Sequence, residues 1–123
     1  MAEPSIRWDR FPCIAANPRA GSWLRLQQHL GLATNTILAY ARALEHYLCF
    51  ARAQEFEVAA ASREQIALWV HALLGRPSPA GERIWRLDSG LGLANATLQQ
   101  RLTAVRLFYD YLVEEGVRET NPV

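Results

Sequence analysis

Apolar positions fall into helical stripes along several stretches of the chain. Leu98, Leu102, Val105, Tyr109 and Leu112 recur at alternating steps of four and three, the spacing that lines one side of an α-helix. Gln99, Gln100, Thr103 and Arg106 fall on the other side, with Arg101 at the edge of the stripe. A second stripe, Ile37, Tyr40, Leu44, Leu48 and Ala51, predicts another long helix with Tyr47 at its margin. At 100° per residue, its opposite face gathers Asn35, Ala39, Arg42 and His46. The two segments repeat one plan, since aligning Thr36 with Thr97 also brings Leu32 over Leu93, Ala43 over Ala104 and Tyr47 over Phe108.

Punctuation residues set the expected boundaries. Ser22 is a plausible N-cap for a short helix to about His29, with Trp23, Leu26 and Leu30 buried and Gly31 as the stop. Thr34 or Asn35 can cap the second helix. Ser62 and Gln65 have capping-box spacing and predict a third, with Ile66, Trp69, Val70 and Leu73 inward. The fourth is expected to open on Asn95 as a cap, or on a capping box from Thr97 to Gln100, and to end near Glu115 and Gly116. Between helices three and four, residues 75–95 hold four glycines and two prolines and read as a long loop, in which Arg83, Ile84, Trp85 and Arg86 form a basic and aromatic cluster. Residues 1–20 hold three prolines and no helical period, and read as an irregular arm with Trp8 and Phe11 pinned to the domain. The expected architecture is therefore all-α: a compact domain of four main helices over 21–119, followed at 120–123 by the start of a linker.

Composition narrows this picture. A chain of 123 residues, 50% hydrophobic, supports one domain with a modest core. Its formal charge is only +1, but the distribution is uneven. Residues 1–54 hold six Arg against three acids and 76–106 hold five against two, while the intervening and final stretches are net acidic. Positive charge thus gathers around the two long helices and the loop before the second. Every basic residue is Arg, which suits bidentate contacts to phosphate or guanine and equally fits a GC-rich genome. Cys13 and Cys49 have neither metal-ligand spacing nor the density of a disulfide scaffold, and His29, His46 and His71 lie far apart, so no metal and no cofactor is expected. With no membrane-length apolar run and no signal-peptide pattern, the expected setting is cytoplasmic.

The candidate chemistry is binding. Thr36 and Thr97 sit in expected opening turns, where free N–H groups and the helix dipole favour phosphate. Asn35, Arg42, His46, Asn95, Gln99, Gln100, Arg101, Thr103 and Arg106 offer further donors toward phosphates or base edges, as do Arg83 and Arg86 in the loop. Capping, packing or plain solvation accounts for each of these residues equally well taken singly. Tyr40, Tyr47, Tyr109 and Tyr111 fall within helical periods and read as packing residues rather than nucleophiles.

Thr36 with Ala39, Tyr40, Arg42 and Leu44, then Ala94, Thr97, Arg101, Leu102, Ala104, Val105, Arg106, Phe108, Tyr111 and Leu112, and finally Asn121 and Pro122, stand in a familiar order. Over residues 20–123 they resemble the N-terminal core-binding domain of tyrosine recombinases, the phage-integrase family. The resemblance implies a four-helix SAM-like bundle that grips double-stranded DNA, with other recombinase protomers as partners, while a separate C-terminal domain cuts and rejoins strands. On that reading the fragment itself is no enzyme, its full-length protein is a site-specific tyrosine recombinase, and its setting is the bacterial nucleoid. The chain departs from the pattern at Ala33 and Ala94, where many members carry Ser, and at Ala41, where many carry a basic residue. The rival reading is an all-helical protein-interaction module. A stand-alone enzyme is the weakest reading, for want of a nucleophile, metal or paired-carboxylate constellation.

Overall fold

The computed structural model describes residues 8–74 and 79–123; of residues 79–95 it describes the backbone alone. A 3-10 turn at Trp8–Arg10 leads into the short helix α1, Pro12–Ala15. Four longer helices follow: α2 Pro18–His29, α3 Thr34–Gln54, α4 Arg63–Leu73 and α5 Pro79–Glu114, with a second 3-10 turn at Val58–Ala60. No strand occurs among the described residues, so the all-α expectation holds.

Three local expectations are corrected. The segment read as an irregular arm contains α1 and the first turn of α2, and it supplies Phe11, Cys13 and Ile14 to the core. Asn17, not Ser22, caps α2: its side chain accepts from the Ala20 N–H at 3.1 Å, and Pro18 occupies the first helical position, where a missing N–H costs nothing. The side of α2 that packs against α1, α3 and α5 is centred on Ala20, Trp23 and Leu24 rather than on Trp23, Leu26 and Leu30. Ala20, Trp23 and Leu24 are buried, whereas Leu26 and Leu30, expected in the core, are 39% and 65% exposed.

The second correction concerns α3. Thr34 and Asn35 do not cap it; Ala33 is the N-cap and makes no side-chain bond. Tyr47, placed at the margin by periodicity, is fully buried, as are Ala41 and Leu44. The rings of Phe56, Trp69 and Tyr109 close around Tyr47.

The third lies in α5. Its backbone is helical from Pro79, so most of the expected loop belongs to a helix of 36 residues, and neither Asn95 nor Thr97 begins it. Glycines at 81, 90 and 92 each cost about 1 kcal/mol relative to Ala, which made the segment read as a loop. The good helix formers among and after them, Glu82, Arg83, Arg86, Leu87, Leu91 and Leu93, outweigh that penalty. At the other end, Gly116 adopts φ +79, with the Gly116 and Val117 N–H groups bonded to the Val113 and Leu112 carbonyls. That is a Schellman stop, and Gly31 closes α2 the same way.

Helix α3 is the hub. It packs against α1, α2 and α5. Its buried face meets Val105, Phe108, Tyr109 and Leu112 of α5, Trp23 and Leu24 of α2, and Ile66 and Trp69 of α4 in one core cluster. Rings fill much of it: Trp23 lies stacked on Tyr40 and edge-on to Phe108, and Tyr47 lies edge-on to Trp69 and Tyr109. The capping box expected at Ser62 is present in both halves, and starts α4 with Trp69 directed inward. After α5 the chain turns back. Asn121 donates to the Arg106 carbonyl at 2.9 Å and to Asp110 Oδ1 at 2.8 Å, Pro122 is buried, and Val123 packs against the core. The exit is thereby fastened to α5.

Candidate nucleic-acid interface

Helix α3 presents Asn35, Ala39, Arg42 and His46 along one face, as their spacing requires. Asn35, Arg42 and His46 are exposed; Thr36, at the third helical position, is half-buried. His46 is not a free imidazole. Trp69 of α4 donates its indole N–H to His46 Nδ1 at 3.0 Å, which leaves the ring proton on Nε2 and holds the ring at one orientation. Partial burial and the nearby Arg101 guanidinium both lower the His46 pKa, so the ring is neutral at physiological pH.

That electrostatic coupling locates Arg101. Its charge acts on His46, and His46 is one turn from Arg42 on α3, so both arginines lie in the neighbourhood of one imidazole. Thr97 precedes Arg101 by four residues and shares its side of α5, where it is half-buried. Arg42, His46 and Arg101 thus lie at the α3–α5 junction, with Thr97 one turn before Arg101 on α5, whereas Asn35 stands at the start of α3, about two turns before Arg42.

The remaining candidates do not join that surface as a block. Gln99, Thr103 and Arg106 fall within roughly 60° of one another around α5, together with Asp110, and Arg106 points about 140° away from Arg101. Gln99 and Arg106 are exposed and Thr103 is half-buried. Asn121 reaches onto this second face through Arg106 and Asp110, and the Asp110 carboxylate lowers its attraction for phosphate. Gln100, exposed, lies between the two faces. The side chains of Arg83, Arg86 and Asn95 lie outside the described residues.

The first turn of α3 adds a further donor set. Because Ala33 offers no cap, the N–H groups of Thr34, Asn35 and Thr36 receive no bond from its side chain, and they stand at the positive end of a 21-residue helix. Periodicity already places Thr36 in an opening turn with free N–H groups, but it does not show that the cap is Ala33. It also missed Trp69 as the residue that orients His46, since a buried tryptophan on α4 carries no sign of which polar group its N–H will meet.

The four tyrosines are packing residues. Tyr40 stacks on Trp23 and Tyr111 on Phe108. Tyr47 and Tyr109 are fully buried and bonded to each other. Burial pushes the Tyr47 hydroxyl up to about 12 and the Tyr109 hydroxyl higher still, the reverse of what a phenolate nucleophile needs. No helix of the described residues is long and apolar enough to cross a membrane.

Comparison with known proteins agrees with this architecture. No curated protein and no solved structure gives a match. The family profile for the phage integrase N-terminal SAM-like domain, by contrast, matches residues 23–116, taking in part of α2 and the whole of α3, α4 and α5. With that match across most of its 123 residues, the chain belongs to the phage integrase N-terminal SAM-like domain family.

Proposed function

We propose that this domain binds double-stranded DNA as the core-binding part of a site-specific tyrosine recombinase, in the bacterial nucleoid, with strand cleavage and joining performed by a separate catalytic domain. The observation that carries the reading is that Arg42 and Arg101, on two long helices, both lie in the neighbourhood of His46. Two guanidiniums on rigid helices, with Thr97 one turn from Arg101 and Asn35 about two turns from Arg42, provide charge for the phosphate backbone and donors for groove edges. The uncapped first turn of α3, about two turns before Arg42, supplies a phosphate seat. Gln99, Gln100, Thr103 and Arg106 belong to the outer margin of this footprint, and other recombinase protomers on the same DNA are its second class of partner.

A labelled duplex of about 30 base pairs, titrated by fluorescence anisotropy at several salt concentrations, tests the reading. Affinity should fall steeply with salt, and Arg42→Ala and Arg101→Ala should each weaken binding and flatten the log–log slope by roughly 0.9 for each phosphate left without its arginine. Arg106→Ala should do less than either. Absence of binding by the folded chain at low salt overturns the proposal. The rival, a protein-interaction module, draws on one observation: Leu26 and Leu30 stand one turn apart on α2 and are exposed. Failure to bind DNA, together with loss of a protein partner on Leu30→Glu, would favour that rival.

A further inference from the structure

Cys13 and Cys49 are 36 residues apart and have no metal-ligand spacing, yet folding brings them together. Cys13 lies in α1 and Cys49 in α3, and both converge on Glu45, one turn before Cys49. The two sulfurs and a Glu45 carboxylate oxygen all lie within 4.8 Å of one another. Glu45 is held rigidly: its Oε2 accepts the Cys13 N–H at 3.0 Å and its Oε1 the Ile14 N–H at 2.9 Å. The Cys49 thiol donates to the same Oε2 at 3.3 Å.

We propose that Cys13, Glu45 and Cys49 form a binding site for a thiophilic divalent cation, Zn2+ first, which fastens α1 to α3. Three protein donors, two of sulfur and one of oxygen, match the ligand types zinc takes, with water completing a tetrahedral set. The backbone N–H bonds to Glu45 serve as the outer shell: each carboxylate oxygen keeps a lone pair for a metal while the amides fix its orientation. Exposure also suits the site. Cys13 and its neighbours form the dry side, 6% exposed in the case of Cys13, whereas Cys49 is open to solvent and gives an ion its way in.

Binding exchanges protons for the metal. M2+, two neutral thiols and one carboxylate yield a complex of net charge −1 and two released protons, with no change of oxidation state. Without a cation, desolvation, the Cys13 thiol and the Glu45 carboxylate push the Cys49 thiol up to about 12. A divalent ion reverses the carboxylate's effect, because the negative potential that holds the proton attracts the metal more strongly.

The test is titration of the reduced chain with Co2+, read by thiolate-to-cobalt charge transfer in the near ultraviolet, followed by displacement with Zn2+. One ion per chain is expected, with affinity falling by up to about 100-fold per pH unit as two protons compete. Cys49→Ser, at an exposed position, should remove most of the charge-transfer band and weaken binding at least tenfold while helical circular dichroism is unchanged. Glu45→Asn serves as the second variant and should weaken binding with the band retained. A band that never appears, an affinity equal in Cys49→Ser and wild type, or a Cys13–Cys49 disulfide forming under air in place of metal uptake overturns the proposal.

Discussion

The Tyr47 hydroxyl lies 2.6 Å from the Tyr109 hydroxyl, and Tyr109 in turn donates to the Val58 carbonyl at 2.8 Å. The proton order follows: Tyr109 spends its hydrogen on Val58 and accepts from Tyr47. This chain of bonds ties α3, α5 and the turn after α3 at the centre of an otherwise apolar core. The two substitutions that remove one hydroxyl are therefore unequal. Tyr109→Phe strands both the Tyr47 hydroxyl and the Val58 carbonyl and should cost roughly 2–3 kcal/mol; Tyr47→Phe leaves Tyr109 bonded to Val58 and should cost about 1 kcal/mol. Urea unfolding of both variants checks the order, and equal losses would contradict the proton assignment. Both hydroxyls have raised folded pKa values, so their contribution is present below about pH 10 and declines as pH rises beyond it.

Helix α3 ends on a strained residue. Glu55 adopts φ +61, the left-handed region, while the N–H groups of Glu55 and Phe56 bond back to the Arg52 and Ala51 carbonyls. Gly occupies the equivalent place at the ends of α2 and α5. Glu55→Gly should therefore stabilise the domain, by about 0.5 kcal/mol after the added freedom of the unfolded chain is counted, and Glu55→Val should destabilise it by about 1–2 kcal/mol. Thermal unfolding of the pair distinguishes backbone strain from any role of the carboxylate, for which both variants would lose stability alike.

At the other end of α3 the cap is missing. Ala33 has the extended backbone of an N-cap, φ −63 and ψ 145, but no side-chain acceptor. Ala33→Ser places an oxygen within reach of the Thr36 N–H and should add about 1 kcal/mol, measured as a shift in the denaturation midpoint at constant m. No gain would mean that Thr34 or Asn35 already satisfies those groups.

These helix ends show what the sequence makes legible. The apolar stripes of α3 and α5, the capping box at Ser62 and the stops at Gly31 and Gly116 are local signals, and each can be read because the residues that satisfy one another are close in the chain. Asn17 with Pro18 was an equally local helix start, overshadowed by the density of prolines around it. Glycine content misled in the opposite direction over 79–93, where helix formers prevail. The site was half legible. Spacing gives the face of Asn35, Arg42 and His46, but which side of α5 meets it depends on the α3–α5 crossing, which brings Arg101 near enough for its charge to act on His46 and leaves the Arg106 carbonyl to Asn121. The meeting of Cys13, Glu45 and Cys49 has the same origin, since it depends on where α1 docks rather than on any spacing.

His46 makes the fold sensitive to mild acid. Its Nδ1 accepts the Trp69 N–H, so protonation there replaces a hydrogen bond with two opposed donors, next to the Arg101 cation. The folded pKa is below the ordinary 6.5, so the unfolded chain binds a proton more readily than the folded one as pH falls through that value. Stability from this residue is therefore present above about pH 6.5 and is lost below it. His46→Asn, whose side-chain carbonyl can accept from Trp69 without titrating, should flatten the stability profile between about pH 7 and 5. Bound phosphate acts in the opposite sense: its negative charge beside His46 and Arg101 favours the imidazolium and opposes the effect of the guanidinium. If the DNA-binding proposal is right, adding duplex at pH 6 should raise the His46 pKa, followed by the imidazole proton shift in NMR. An unchanged His46 titration in the presence of saturating DNA would place the bound phosphates away from the α3–α5 junction.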